Sequence, residues 1–297
     1  MTLLPIRLKD QNGRFALVDG IPFELPVHSE QTPALMAGFP IDATRAARLL
    51  PGIELHPFTL FGRGLLIVTV VDYRITSIGK YIEFSIGIAC THGRRPAPPL
   101  LPLMFQKAYG LGQYVYDLPV STEISVKGGK GIWGMPKHQA SLDFQISDAS
   151  VSSQYDIDGE LAMRIEIERP RGPMLPLVNI PSANYCAFRG MLYKSYIYFN
   201  GKLGMSFGGA GAARLTLGRQ PTMRALAELD IGAKPVFTAF LPATHGVLAD
   251  HFECWFLSFD RLPAQQPEGM ESVVNLGLGQ AWPKPPHREP VDTPLTR

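Results

Sequence analysis

A chain of 297 residues, 45% hydrophobic and 18% charged, can bury a sizeable core, which excludes a disordered chain. Its formal charge of +2, with no lysine/arginine-rich run, excludes a nucleic-acid partner held by charge. The longest apolar run, "GLLIVTVVD" (Gly64–Asp72), falls well short of the ~20 residues that a membrane-spanning helix needs.

The opening "MTLLPIRLKDQNGRF" sets charges where a signal peptide carries an apolar core, so a soluble, cytoplasmic protein with no membrane partner is expected. "IDATRAARLL" (Ile41–Leu50) has Asp42 to cap a short helix and Pro51 to stop it. "LLIVTVVDY" (Leu65–Tyr73) is a continuous β-branched run, as in a buried strand. "YIEFSIGIAC" (Tyr81–Cys90) alternates: Ile82, Phe84, Ile86, Ile88 and Cys90 share one face, and Tyr81, Glu83, Ser85, Gly87 and Ala89 the other. "HGRRP" (His92–Pro96) reads as a solvated loop, and Pro98–Gly110 has room for another helical turn or two.

Further on, Ala162–Pro170 alternates as a strand with Arg164, Glu166 and Glu168 on a wet face. "YKSYIYFNGKLGMSF" (Tyr193–Phe207) holds Asn200-Gly201 between apolar runs and predicts a hairpin turn there. Thr222–Leu229 reads as a short amphipathic helix and His251–Phe259 as a strand. The segment from Ala281 is proline-rich, and 283–297 is expected as an irregular tail, laid on the surface or disordered. With 29 Gly and 27 Pro between so many strands, the chain is expected to be mainly β with a few short helices. A closed or cone-like antiparallel β-barrel fits that pattern, and without an internal linker residues 1–297 read as a single domain.

Several motifs carry no chemistry. "GGAGAARLTLG" (Gly208–Gly218) has strand-like sequence on both sides, so a turn or bulge is expected rather than a dinucleotide fingerprint. "GGKGIWG" lacks the Gly-Lys-Ser/Thr of a phosphate loop, and no Gly-x-Ser-x-Gly elbow occurs. Cys90 with His92, and His245 with His251 and Cys254, match no familiar ligand spacing, so no metal or organic cofactor is expected. Cys90, Cys186 and Cys254, odd in number and widely spaced, exclude a disulfide framework and are expected as buried thiols.

"GIWGMPKHQ" (Gly131–Gln139) is different. Lys137 follows a proline, which fixes a non-helical backbone. In an extended chain Trp133, Met135 and Lys137 share one face, so the amine would project beside apolar groups. An apolar wall disfavours an ammonium relative to the free amine. A free amine adds to a ketone, and the protonated imine is an electron sink for breaking an adjacent bond.

"GIWGMPKHQASLDF" resembles the lysine segment of the acetoacetate decarboxylase family, in which a Tyr/Met-Pro-Lys element carries the Schiff-base lysine. "PALMAGFPIDATRAARLLPGIELHPF" resembles that family's N-terminal strand, helix and Leu-Leu-Pro step, and "IGKYIEFSIGIAC" its Gly-x-Tyr-x-Glu strand. "LPATHGVLADHFE" resembles a late stretch loosely; residues ~25 to 285 are covered. The resemblance implies the acetoacetate decarboxylase-like barrel, a homo-oligomer, Lys137 as the imine former and Glu83 as the active-site glutamate. Acetoacetate decarboxylase is the standard example of such a lysine, so the mechanism comes with the resemblance. Trp133, Met135 and His138 are expected around the substrate.

The chain departs from the family in three places. His138 stands where well-known members have a second lysine, and burial rather than a neighbouring charge is then expected to govern the amine. Val68 aligns with an acidic position, with Asp72 nearby. "VHSEQTPALM" (Val27–Met36) lacks the arginine that grips the substrate carboxylate, leaving Arg74 and Arg63 as substitutes. Decarboxylation of a 3-oxo acid is the leading expectation. Aldol or dehydratase chemistry on a larger oxo substrate is the alternative, and a non-catalytic barrel binding a small apolar ligand the rival. In each case the partner is a small oxo acid or ketone.

Overall fold

The computed structural model describes residues 14–207, 213–260, 271–274 and 276–288. The first thirteen residues, 208–212 of the glycine-rich run and 289–297 of the expected tail lie outside the described residues.

The chain opens with β1 (Arg14–Val18), β2 (Ile21–Leu25), β3 (Val27–Ile41), α1 (Ala43–Ala47), β4 (Leu55–Pro57), β5 (Gly64–Tyr73) and β6 (Ile75–Thr76). It continues with β7 (Tyr81–His92), α2 (Leu101–Met104), β8 (Gly112–Val120), α3 (Glu123–Trp133), β9 (Lys137–Gln139), β10 (Ser141–Leu142) and β11 (Gln145–Ile146). The remaining elements are β12 (Ser150–Ile157), β13 (Glu160–Glu168), β14 (Leu175–Phe188), β15 (Met191–Phe207), β16 (Ala213–Leu217), α4 (Pro221–Ala227), β17 (Phe237–Phe256) and α5 (Glu271–Val274).

Pairing runs β7-β5-β3-β17-β15-β14-β8 and returns to β7, which closes a seven-stranded barrel. Closure satisfies the edge hydrogen bonds that an open sheet would leave free. The barrel is antiparallel at every seam except one: β14 meets β8 in parallel, at Asn184↔Gln113 and Tyr185↔Tyr114. No hairpin joins these two strands. The chain passes through α3 and the flanking strands before β14, and such a crossover delivers a parallel neighbour.

The alternation of β7 separates two environments. Ile82, Phe84, Ile86, Ile88 and Cys90 pack outward, with Leu66, Val68 and Val70 of β5, against a second sheet ordered β10-β12-β13-β16. Val151, Tyr155, Met163, Ile165 and Ile167 of that sheet complete this core, with Phe84 and Tyr155 ring centroids 5.0 Å apart. The opposite faces of the same strands line the barrel lumen. A strand buried on both sides needs apolar residues at nearly every position, which explains the unbroken run in β5.

Asp42 caps α1 by accepting from the Arg45 amide at 2.8 Å, as the sequence predicts. The expected hairpin at Asn200-Gly201 does not form. Both residues lie within β15, at a register irregularity against both neighbouring strands. The turn from β14 into β15 falls instead at Arg189-Gly190, whose φ angles of 55° and 71° are those of a type I′ hairpin. Asn200 serves the bulge, its Oδ1 accepting from the Asn179 amide at 2.9 Å. Cys90 and Cys186 are buried, but Cys254 is exposed, because the end of β17 lies on an outer face that nothing covers among the described residues.

The described part of the proline-rich segment is irregular and lies on the surface. Ala281 and His287 offer carbonyls to Gln139 and Gln154, and Arg288 grips Asp143 through two contacts of 2.6 Å. Among the described residues no helix is long and apolar enough to cross a membrane.

Candidate active site

The segment before Lys137 is helical, not extended. α3 reads "EISVKGGKGIW", and its glycines permit close approach: a Cβ on Gly128 would meet Phe23 at 2.9 Å and one on Gly131 would meet Val18 at 2.5 Å. Gly134 ends the helix with φ 64°, in the left-handed region that glycine adopts at no steric cost. Met135 and Pro136 then turn the chain into β9, which pairs in parallel with β8 at Leu118↔Lys137.

This geometry drives the Lys137 side chain back beneath α3. It is 4% exposed and passes directly under Gly129, where a Cβ would stand 2.5 Å from its Cδ and 3.1 Å from its Nζ. The amine meets Glu83 Oε2 at 2.7 Å, donates to Ser125 Oγ at 3.0 Å and lies 5.3 Å from the Tyr81 ring centroid. The company of the amine is therefore a carboxylate, a hydroxyl and an aromatic face, rather than the wall of Trp133 and Met135 that an extended segment implied. Tyr73 stacks on Tyr81 at 4.6 Å and completes the wall around Glu83. Burial, followed by the Glu83 charge, holds both phenols well above their ordinary range, so they stay neutral. Burial also pushes the nearby Cys186 thiol up to about 12, which removes it as a competing nucleophile.

Lys137 and Glu83 open onto a chamber inside the barrel. Two small voids, about 30 and 50 Å³, share Val71, Tyr73, Glu83, Met135, Ile197 and Phe199 as walls. Every one of the seven barrel strands contributes a residue to these walls. One water-sized position takes roughly 10–15 Å³, so the space suits a guest of a few non-hydrogen atoms.

The expected substrate residues divide. Met135 lines the chamber. Trp133 packs beside it in a cluster with Leu25, Val115, Leu118 and Cys186. His138 points the other way, as alternation along β9 requires, and its Nε2 meets Asp117 Oδ1 at 2.8 Å. Asp117 also accepts from the Tyr155 hydroxyl at 3.1 Å, so this trio fastens β9 to the outer core behind the lysine. Burial pulls the His138 imidazole down, but the hydrogen bond and charge of Asp117 outweigh it and leave the group above its ordinary value. Neither candidate arginine reaches the chamber: Arg63 pairs with Asp230 and Arg74 with Asp72. Among the described lining residues, Lys137 is the only cation and Glu83 the only anion. Sequence reasoning did not find Ser125, because it did not find the helix that carries it. Tyr73 and Tyr81 were readable as strand residues, but not as neighbours of the lysine.

Two outcomes follow from this geometry. Gly129→Ala should displace the Lys137 amine from Glu83 while α3 persists, since alanine favours a helix interior by about 1 kcal/mol over glycine. If Lys137 forms the imine expected from sequence, ketone-dependent borohydride labelling should fall at least about tenfold, equivalent to about 1.4 kcal/mol; labelling unchanged from wild type would show that the close approach does not matter. The His138–Asp117 pair raises a folded-state pKa, so its contribution to stability is complete below the unfolded value of ~6.5 and fades as pH rises through the folded value. The Tm gap between wild type and Asp117→Asn should be wider at pH 5.5 than at pH 8.5, measured by thermal melts, and a gap that widens with pH would be the wrong sign.

Comparison with known proteins bears on the family and the fold. Residues 15–184, more than half of the chain, match the acetoacetate decarboxylase family. No curated protein sequence matches the chain. Among solved structures, the acetoacetate decarboxylase of Legionella pneumophila subsp. pneumophila str. Philadelphia 1 is similar at a TM-score of 0.58 with 12% identity, covering 86% of this chain and 97% of its own. The enduracididine biosynthesis enzyme MppR, complexed with the condensation product of pyruvate and imidazole 4-carboxaldehyde, is similar at 0.52 with 15% identity, covering 77% and 88%. An acetoacetate decarboxylase-like enzyme from Sphingomonas wittichii RW1 is similar at 0.51 with 16% identity, covering 77% and 93%. At these identities the structural likenesses speak for the fold, and the family match carries the assignment: the chain belongs to the acetoacetate decarboxylase family.

Proposed function

We propose that the protein is a lyase that forms an imine between Lys137 and the ketone carbon of a small oxo substrate. The observation that carries this reading is the buried contact of Lys137 Nζ with Glu83 Oε2, 2.7 Å apart at the wall of a chamber inside the barrel. Glu83 accepts a proton from the ammonium, which frees the amine lone pair to attack the carbonyl carbon. The resulting carbinolamine takes that proton back from Glu83 on its oxygen and loses water, leaving an iminium. A bond to the carbon next to the imine then breaks and its electron pair moves onto the iminium nitrogen, giving an enamine. Glu83 passes a proton taken up from solvent to the enamine carbon, and water hydrolyses the imine to release product and lysine. The neutral Tyr73 and Tyr81 phenols keep further charge away from the pair.

Family membership supports decarboxylation of a 3-oxo acid, in which the broken bond releases carbon dioxide. A second reading, aldol cleavage or dehydration of a hydroxyketone, is favoured by one observation: the described lining offers a carboxylate no cation other than the lysine already paired to Glu83. The size of the voids supports a short substrate in either case, rather than the larger one of the alternative drawn from sequence.

Borohydride reduction in the presence of acetoacetate or acetylacetone is expected to add one reduced ketone to the wild-type protein and none to a folded Lys137→Ala variant. An adduct that survives Lys137→Ala, or no adduct at all, would favour a non-catalytic binding barrel. Glu83→Gln should label at least about tenfold more slowly, the lower end of what a positioned acid–base group supplies being about a hundredfold. Carbon dioxide release from acetoacetate then separates decarboxylation from the second reading.

A further inference from the structure

The chamber has a second end. Past Met36 and Val115 it reaches neutral polar side chains on four strands that are consecutive around the barrel: Thr69 on β5, Ser85 on β7, Gln113 on β8 and Asn184 on β14. Register sets Thr69 opposite Ser85 and Gln113 beside Asn184. Gln113 donates through Nε2 to Asn184 Oδ1 at 2.8 Å, a bond that does not use its carbonyl oxygen. That Oε1 is buried with no hydrogen-bond partner among the described residues, and so is Thr69 Oγ1. Gly87 makes the room, since a Cβ there would stand 2.5 Å from Gln113 Oε1.

A buried polar atom left unpaired is costly, so two of them on side chains that line one small void define what a guest must bring. An amide carbonyl requires a donor. A threonine hydroxyl accepts or donates. A carboxylate offers only acceptors and would carry a charge into a space whose one cation is already bonded to Glu83. We infer that this polar belt is the specificity subsite of the chamber and takes a neutral hydrogen-bond donor, a hydroxyl or amide carried by a short ketone. It rests on the imine reading of Lys137 and narrows it to hydroxyketone-class substrates over 3-oxo acids. Gln113 and Thr69 act as specificity residues, with Ser85 and Asn184 holding the belt.

The test compares 4-hydroxybutan-2-one with butan-2-one and acetoacetate, by half-saturation of borohydride labelling and, independently, by calorimetric binding. Wild type should prefer the hydroxyketone to butan-2-one by about tenfold, and to acetoacetate as well. Gln113→Leu and Thr69→Val should each erase most of that preference while butan-2-one still labels Lys137. Thr69→Val should do so without lowering Tm, because the hydroxyl it removes has no partner among the described residues. Labelling with no hydroxyl preference, a preference unchanged in both variants, or tighter saturation by acetoacetate would overturn the subsite and leave the imine intact. Hydroxyketone binding that depends on Gln113, with no labelling by any ketone, would keep the subsite and reject the imine. Neither binding nor labelling would reject both.

Discussion

An ammonium and a carboxylate 2.7 Å apart inside a closed barrel govern the rest of this molecule. Each ion loses hydration worth several kcal/mol when it leaves water, and only the partner, aided by Ser125 and the Tyr81 face, offsets that loss. Removing one member of such a pair typically costs about 3–5 kcal/mol, because the other is left buried and alone. The pair therefore demands that β7 and β9, which do not pair with each other, hold their relative positions closely. β8 lies between them and bonds to both, antiparallel to β7 and parallel to β9.

The features around the pair follow from that demand. α3 has to lie close enough for Ser125 to touch the amine, and only a helix face without side chains leaves room for the Lys137 stem beneath Gly129. Behind β9, His138 and Tyr155 converge on Asp117, so the strand is fastened from its outer side while the lysine points inward. The flanking sheet supplies Tyr155 and covers the outward faces of β3, β5 and β7. The lumen can then remain small and polar at one end without exposing the main core, which lies between the barrel and the flanking sheet.

Much of the barrel was legible in the sequence, because strands buried on one or both faces leave a period of two or an unbroken apolar run. Alternation in Tyr81–Cys90 separated Glu83 from the core-facing isoleucines correctly. Alternation at Lys137-His138 likewise implied opposite directions, although the histidine was expected near the substrate. What escaped has a common cause: local signals there serve tertiary needs. Glycine is a poor helix former, so the segment before Lys137 was read as extended, whereas its glycines permit the helix contacts with Phe23, Lys137 and Val18. Asn200-Gly201 has hairpin chemistry but serves a bulge in a strand of 17 residues. The parallel seam, the polar belt and the failure of Arg63 and Arg74 to reach the chamber depend on pairing between distant strands, which no local pattern encodes.

The most direct measurement is a crystal structure of the protein after borohydride reduction with a short ketone. The account predicts a covalent bond from Lys137 Nζ to the former carbonyl carbon, with Glu83 within hydrogen-bond distance of the nitrogen and the rest of the ketone directed toward Gln113 and Thr69. A reduced adduct on another lysine, such as Lys127 or Lys194, with Lys137 still free and paired to Glu83, would contradict it.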